Sequence, residues 1–245
     1  MSDAGHIGIL MHSAEGALLC QRTVVHEGIA RMGAHNHPTI TMSGRAMGHA
    51  LEYWEASDYR ALRAIFAEDA QSLASAGAEF FVLPDNTAHI ALEADGPPLP
   101  LPCLHIAEVV ADEAAARGYR KIGILGTEWT MDGPVYREAF ERRGIGRAVP
   151  EGKARAALHA IIMDELCMGV FDPASTAVFL EAIDELADRG CDGVALVCTE
   201  IPLIVSAANS ALPVLDSTRL LAKAAVDVAL GARPMPQWRG GPVAR

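Results

Sequence analysis

The sequence predicts an α/β protein with two pseudo-symmetric, Rossmann-like lobes, each built on a parallel sheet. Short apolar runs typical of strands alternate with stretches of helical periodicity along the 245 residues. That alternation is typical of parallel sheets with helical crossovers. The chain also repeats itself, because the segment that begins at Gly77 (GAEFFVLPDNT) parallels the one that begins at Gly190 (GCDGVALVCTE). The repeat favours duplication of a whole lobe.

Two further pairs of similar segments support the duplication. Residues 7–10 (IGIL) recur at 122–125, and residues 101–104 (LPCL) resemble residues 212–215 (LPVL). All three pairs occur in the same order along the chain. A short solenoid repeat would recur more often and at a smaller spacing, so the repeated unit is a lobe of about half the chain.

The duplication predicts both the lobes and the place of the active site. We assign residues 1–108 and 212–245 to the first lobe and residues 109–211 to the second. Asp85 and Cys198 occupy matched positions, each just after the repeated strand. Ligands of open α/β sheets bind at the carboxyl ends of the strands. We therefore expect the active site in a cleft between the lobes, with Asp85 and Cys198 on opposite sides.

The elements of the first lobe follow from local signals. The predicted elements are a strand at 6–11, a loop at 12–16, a helix at 58–76, a strand at 80–83 and a helix at 106–117. Asp58 is a suitable N-cap for its helix, and Gly77 ends that helix. Pro84 breaks the central strand and is followed by polar residues. These polar residues stand where a strand gives way to a helix, which favours an anion such as a substrate carboxylate.

The second lobe repeats this pattern with more helices. The predicted elements are a strand at 121–125, helices at 135–143, 153–168 and 175–189, and a strand at 193–197. A last predicted helix at 218–230 falls in the part of the chain that returns to the first lobe. Ser175 is the predicted N-cap of its helix, and Gly190 ends that helix. The segment after residue 230 is rich in Gly, Pro and Arg and is expected to be irregular.

Composition and charge exclude several classes of function. The net charge is −11 and no basic stripe is present, so we expect no nucleic-acid partner. The sequence contains neither a signal-peptide pattern nor a membrane-length apolar run. Five cysteines without CxxC spacing fit reduced thiols in the cytoplasm. Four of them are expected to be buried structural thiols: Cys20, Cys103, Cys167 and Cys191. The histidines near residues 26–49 lack acidic or thiol partners, so we expect no metal site.

Five short motifs are spread over nearly the whole chain. They are PDNTAH at 84–89, LHIA at 104–107, GT with TM at 126–131, II with ELC at 161–167 and CTEI at 198–201. Together and in this order they resemble the aspartate/glutamate racemase family of amino-acid racemases. The resemblance implies a reaction without pyridoxal phosphate or another cofactor, and a homodimer. It also implies that the partner molecule is a small carboxylate or amino acid.

The resemblance implies roles for individual residues as well. The family uses two cysteines, one on each face of the substrate α-carbon. Cys198 occupies the second of these positions, whereas Asp85 stands at the first, which is the main departure from the family. The implied substrate-binding residues are Asn86, Thr87, Thr127, Thr130, Thr199, Glu200 and Ser13. His89 is expected to be a structural hydrogen-bonding residue, because it lies a full turn beyond Asp85.

The Asp/Cys pair allows two schemes of proton transfer. A cysteine has a pKa of roughly 8.5, and a normal aspartate, at about 3.9, is a poor base. Either the Cys198 thiolate removes the α-proton and a protonated Asp85 returns one, or the Asp85 carboxylate removes it and the Cys198 thiol donates. We expect Cys198 to be the principal acid/base and Asp85 its partner at the opposite face. The non-catalytic alternatives are that Asp85 caps a helix and that Cys198 is a small, buried hydrophobic residue.

The expected function is an amino-acid racemase or epimerase that removes and returns a proton at the carbon alpha to a carboxylate. Two other classes stay open. One is a single-cysteine decarboxylase or isomerase of a small carboxylic acid in the same superfamily, although a carboxylate at position 85 would face a dicarboxylate substrate. The other is a catalytically inactive amino-acid-binding protein, against which the retained Cys198-Thr199-Glu200 argues.

Overall fold

The fold consists of two α/β units, which are described for residues 4–241 in a computed structural model. Unit 1 comprises Met1–Ile106 and Thr218–Arg245, and unit 2 comprises Ala107–Ser217. Each unit has a four-stranded parallel sheet, in the order β2-β1-β3-β4 or β6-β5-β7-β8. The two sheets therefore have the same topology, with the most buried strands at equivalent positions.

The elements of unit 1 are β1 (Ile7–Leu10), α1 (Ala14–Met32), β2 (Ile40–Ser43), α2 (Leu51–Glu55), α3 (Tyr59–Ser75), β3 (Phe80–Val82), α4 (Ala88–Glu93) and β4 (Cys103–Leu104). Helix α5 (Ile106–Ala116) begins at the division point. The elements of unit 2 are β5 (Lys121–Leu125), α6 (Glu128–Asp132), α7 (Pro134–Glu141), β6 (Gly146–Ala148), α8 (Gly152–Asp164), α9 (Pro173–Asp188), β7 (Gly193–Leu196) and β8 (Val214–Asp216). Helix α10 (Ser217–Ala229) begins at the second division point.

The central strands of both sheets are apolar without interruption because both of their faces are covered. All residues of β1, β3 and β7 are buried. For this reason, strands of parallel sheets that are flanked by helices have continuously apolar sequences. The repeated segments thus correspond to equivalent strands: the IGIL pair forms β1 and most of β5, and the other apolar pair forms β3 and β7.

The glycine of each IGIL segment has a packing reason. A Cβ added to Gly8 would lie 3.1 Å from Leu73 Cδ1, and one added to Gly123 would lie 2.8 Å from Leu186 Cδ1. Leu73 belongs to α3 and Leu186 to α9, and both leucines are fully buried. In each unit a helix therefore approaches its central sheet so closely that a methyl group added at this glycine would force the leucine to shift.

The sequence-based prediction is wrong for the loop at 12–16. Helix α1 begins at Ala14, directly after the N-cap Ser13, and runs for 19 residues. Its buried residues are Gly16, Ala17, Cys20, Val24 and Gly28. These residues recur at helical spacing, but most are small, so the buried face lacks the large apolar residues by which an amphipathic helix is recognised.

Two boundaries also differ from the prediction. The cap of α9 is Asp172, whose side chain accepts the N–H of Ala174, whereas Ser175 lies inside the helix and donates to Glu165. Pro173 at the first helical position explains the earlier start. Strand β8 pairs with β7 in the sheet of unit 2, although the sequence places residues 212–245 in the first lobe. The repeated segments at 101–104 and 212–215 each lead into the last strand of their own sheet.

Within residues 4–241, no helix is both long and apolar enough to cross a membrane. In the same stretch, His, Cys, Asp and Glu side chains do not form a group of three or more that could hold a metal ion.

The close contact between β5 and α9 predicts the effect of Gly123→Ala. The added methyl group overpacks against Leu186, and we expect the free energy of unfolding to fall by about 1–3 kcal/mol. Urea denaturation of the variant measures this change. The double variant Gly123→Ala/Leu186→Ala should lose less stability than the sum of the two single changes, because the clash is absent. Strict additivity would contradict this packing.

Candidate active site

The Asp85 loop connects β3 to α4 in unit 1. One carboxylate oxygen of Asp85, Oδ1, accepts the N–H of Ala88 at 3.1 Å, so the residue does cap the following helix. The other oxygen, Oδ2, faces His12 Nε2 at 4.0 Å, and the Asp85 side chain is 15% exposed. Capping therefore occupies one oxygen and orients the second.

The side chain of His89 stabilises the Asp85 loop by hydrogen bonding. Its Nδ1–H donates to the Asp85 carbonyl oxygen at 3.0 Å, and its Nε2 accepts the Ile106 N–H at 3.3 Å. Burial lowers the pKa of His89 well below its ordinary value, and nearby His105 lowers it further. The ring is thus a neutral imidazole with both nitrogens bonded. This confirms the structural role predicted for His89.

The cluster around His89 includes part of the C-terminal segment. Trp238 stacks on His89 at a centroid distance of 6.3 Å, and His105 bonds to Glu93 at 2.8 Å. The Trp238 carbonyl also accepts the N–H of Cys103 in β4. Residues 232–241 form no helix or strand, as predicted. Trp238 in this segment packs against His89, which in turn is hydrogen-bonded to the Asp85 loop.

His12 is a site residue that the sequence-based prediction missed. Strands β1 and β3 pair Ile7 with Phe80 and Ile9 with Val82, and the same register continued past the strand ends places His12 opposite Asp85. In unit 2 the β5–β7 register places Thr127 opposite Cys198 in the same way. The sequence did contain a signal for His12. The repeat of IGIL aligns His12 with Thr127, which was predicted as a substrate-binding residue.

Cys198 lies in the loop after β7 with its thiol bonded to a carboxylate. The Cys198 Sγ–H donates to Glu200 Oε2 at 2.9 Å, and Thr199 Oγ1 donates to the same oxygen at 2.9 Å. All three residues are buried. Burial raises the pKa of the Cys198 thiol well above its ordinary value, and the negative charge of Glu200 raises it further. Cys198 is therefore a protonated thiol at neutral pH in this arrangement.

The other cysteines differ from Cys198 in their surroundings. Cys20, Cys103 and Cys191 are buried, as predicted, and burial raises the pKa of Cys20 to about 12. The prediction is wrong for Cys167, which is exposed. It lies in a short 3-10 helix, Leu166–Met168, close enough to Cys198 to raise the pKa of the Cys198 thiol slightly.

The predicted substrate-binding residues lie at the carboxyl ends of the two sheets, each set within its own unit. Asn86 is buried and Thr87 half-buried after β3, while Ser13 caps α1 by accepting the Gly16 N–H at 3.2 Å. In unit 2, Thr127 caps α6 and its hydroxyl lies 3.1 Å from that of Thr130. Ser13 and Thr127 are thus both helix N-caps. Their contact with substrate stays a prediction.

Comparison with known proteins identifies the family. The model of the Asp/Glu/hydantoin racemase family matches residues 19–225. The chain belongs to this family. A broad-specificity amino-acid racemase, RacX, from Bacillus subtilis (strain 168) is 25% identical over 176 residues, or 71% of this chain and 74% of the relative. The chain is accordingly an isomerase of the racemase type.

Solved structures agree with this membership in the family. A proposed Asp/Glu racemase from Yersinia pestis is 31% identical, with a TM-score of 0.81 over 92% of this chain and 99% of that one. An aspartate racemase homologue from Pyrococcus horikoshii OT3 has a TM-score of 0.76 at 24% identity, with the same coverage of both chains. The second similarity shows that the racemase fold is shared.

The bond between Cys198 and Glu200 predicts how the thiol reacts. In the Glu200→Gln variant a negative charge beside the sulfur is lost, so the pKa of Cys198 falls and its thiolate fraction at pH 8 rises. We expect iodoacetamide to alkylate Cys198 several times faster than in the parent protein, because a larger fraction of the residue is thiolate. Mass spectrometry of a Cys167→Ser background measures the rate without interference from the exposed thiol. An unchanged or slower rate would contradict the assigned role of Glu200.

Proposed function

We propose that this enzyme is a cofactor-independent amino-acid racemase or epimerase in which Asp85 and Cys198 act on opposite faces of the substrate α-carbon. The observation that carries the proposal is the buried Cys198 thiol, which is hydrogen-bonded to Glu200 and matched in the duplicated fold by Asp85. A thiol held as an acid needs a base for the other face of the carbon. Asp85 Oδ2, at the equivalent strand end of unit 1, is the group that we assign to that role.

The resting state determines the direction of proton transfer. The Asp85 carboxylate takes the α-proton, so that the C–H bond breaks and an O–H bond forms. The Cys198 thiol gives its proton to the other face of the carbanion, so that the S–H bond breaks and a new C–H bond forms. The enzyme then holds a protonated Asp85 and a Cys198 thiolate, which is the state required for the opposite enantiomer. This assigns the second of the two schemes open from the sequence.

Glu200 takes part in both directions. Its carboxylate keeps Cys198 protonated when the site is empty. A substrate ammonium group bound beside Glu200 would offset this charge and lower the pKa of Cys198, which favours the thiolate product of the reaction. Asn86, Thr87 and Ser13 are assigned to substrate binding in unit 1. Thr127, Thr130 and Thr199 are assigned to it in unit 2.

We assign amino acids as the substrate class. The family's preference for amino acids with acidic side chains is an expectation, and no particular arginine of this chain supports it. The homodimer likewise stays a prediction.

A hydrogen-exchange experiment tests the proposed function. The protein is incubated with L- and D-amino acids in D2O, the α-proton is followed by NMR, and the chirality of the product is determined. We expect exchange with inversion, and a loss of about 10²–10⁴-fold in Cys198→Ala, the range for general acid–base groups. Full activity of Cys198→Ala on a confirmed substrate would contradict the assignment. Absence of exchange with every amino acid would favour a malonate or maleate substrate, or a binding protein.

A further inference from the structure

The contacts of His12 fix the position of its proton. Trp54 Nε1–H donates to His12 Nε2 at 3.0 Å. An indole nitrogen can only donate, so Nε2 carries a lone pair and the ring proton is on Nδ1. Phe66 contacts the ring edge-on at 5.1 Å, and the side chain is only 7% exposed. His12 is thus held as one neutral tautomer by uncharged aromatic neighbours.

The lone pair of Nε2 lies beside the reactive oxygen. Asp85 Oδ2 is 4.0 Å from Nε2, about 1 Å beyond hydrogen-bond distance. When Asp85 is a carboxylate, both atoms are acceptors and no hydrogen bond joins them. When Oδ2 has taken a proton from substrate, it becomes a donor directed at a lone pair. The interaction between His12 and Asp85 therefore switches from unfavourable to favourable during the reaction.

We propose that His12 is a positioning and proton-relay residue that acts through Asp85; this rests on the proposed racemase function. After Asp85 has taken the α-proton, the Oδ2–H bond breaks, an Nε2–H bond forms, and Trp54 gives up its bond to the ring. His12 becomes an imidazolium, which loses the Nε2 proton to water and takes up a proton from solvent at the same nitrogen. This solvent proton returns to Asp85 Oδ2, Trp54 forms its bond to Nε2 again, and the proton that came from substrate has been exchanged.

The relay has a measurable isotopic consequence. Racemisation in D2O produces deuterated product through Cys198, but it deuterates the remaining substrate only if the proton on Asp85 exchanges before it returns. The enantiomer that loses exchange in Asp85→Asn is the one from which Asp85 takes the proton. For that enantiomer, the ratio of deuterium in remaining substrate to deuterium in product reports the relay.

His12→Gln is the test variant, since glutamine accepts a hydrogen bond from Trp54 but does not relay a proton. We expect the ratio to fall about tenfold or more, because acid–base groups contribute at least that much to proton transfer. In His12→Gly, added imidazole should restore the ratio. Trp54→Phe is the matched control: it keeps an aromatic ring, removes the competing donor and should maintain or raise the ratio.

Three results would overturn the relay. They are an unchanged ratio in His12→Gln, no rescue by imidazole, or an equal fall in Trp54→Phe, which would indicate a packing role only. A separate readout does not need turnover: nitrogen NMR of the ring should show the Nδ1–H tautomer in the parent protein. The proposed function fails if the parent protein exchanges no amino acid, whereas the His12 inference fails if the parent ring carries its proton on Nε2.

Discussion

The proposed mechanism depends above all on the hydrogen bond from the Cys198 thiol to the Glu200 carboxylate. It places a proton on sulfur in a buried loop, and a second donor, Thr199, fixes the acceptor oxygen. A buried thiol beside a carboxylate is disfavoured as a thiolate by both desolvation and repulsion. In the proposed mechanism the residue therefore begins as an acid rather than as the base that a reactive cysteine usually provides. The role proposed for Asp85 follows from this, because an acid on one face of a carbon needs a base on the other.

The Asp85 loop gives the two oxygens of one carboxylate different surroundings. A cysteine has one reactive atom, whereas a carboxylate has two oxygens that can serve different purposes. Here Oδ1 caps α4 through Ala88, and the backbone carbonyl of Asp85 is held by His89. The loop is thus supported from two sides by hydrogen bonds, while Oδ2 is directed toward His12. The structural and chemical interpretations of Asp85 are compatible, since each uses a different oxygen.

Much of this organisation was predictable from the sequence, for identifiable physical reasons. Gly8 and Gly123 mark close contacts between a strand and a helix, so the repeat of IGIL survives in both units and reveals the duplication. Helix α1 was missed because its buried face consists mainly of glycine and alanine. His12 was missed because its place opposite Asp85 depends on the register of β1 and β3 and on none of the five motifs. The exposure of Cys167 depends on the short turn after α8, which no periodicity indicates.

The most direct test of the central claim compares two variants on each enantiomer separately. Asp85→Asn keeps the cap of α4, because an asparagine oxygen also accepts the Ala88 N–H, but it cannot act as the base. Cys198→Ser keeps the size of the side chain with a much weaker acid. Initial rates of α-proton exchange in D2O are measured by NMR for the L- and D-forms of the same amino acid. If the two residues act on opposite faces, Asp85→Asn should lose exchange of one enantiomer and Cys198→Ser should lose exchange of the other. Loss of the same enantiomer in both variants would show that the two residues act on one face and would contradict the account.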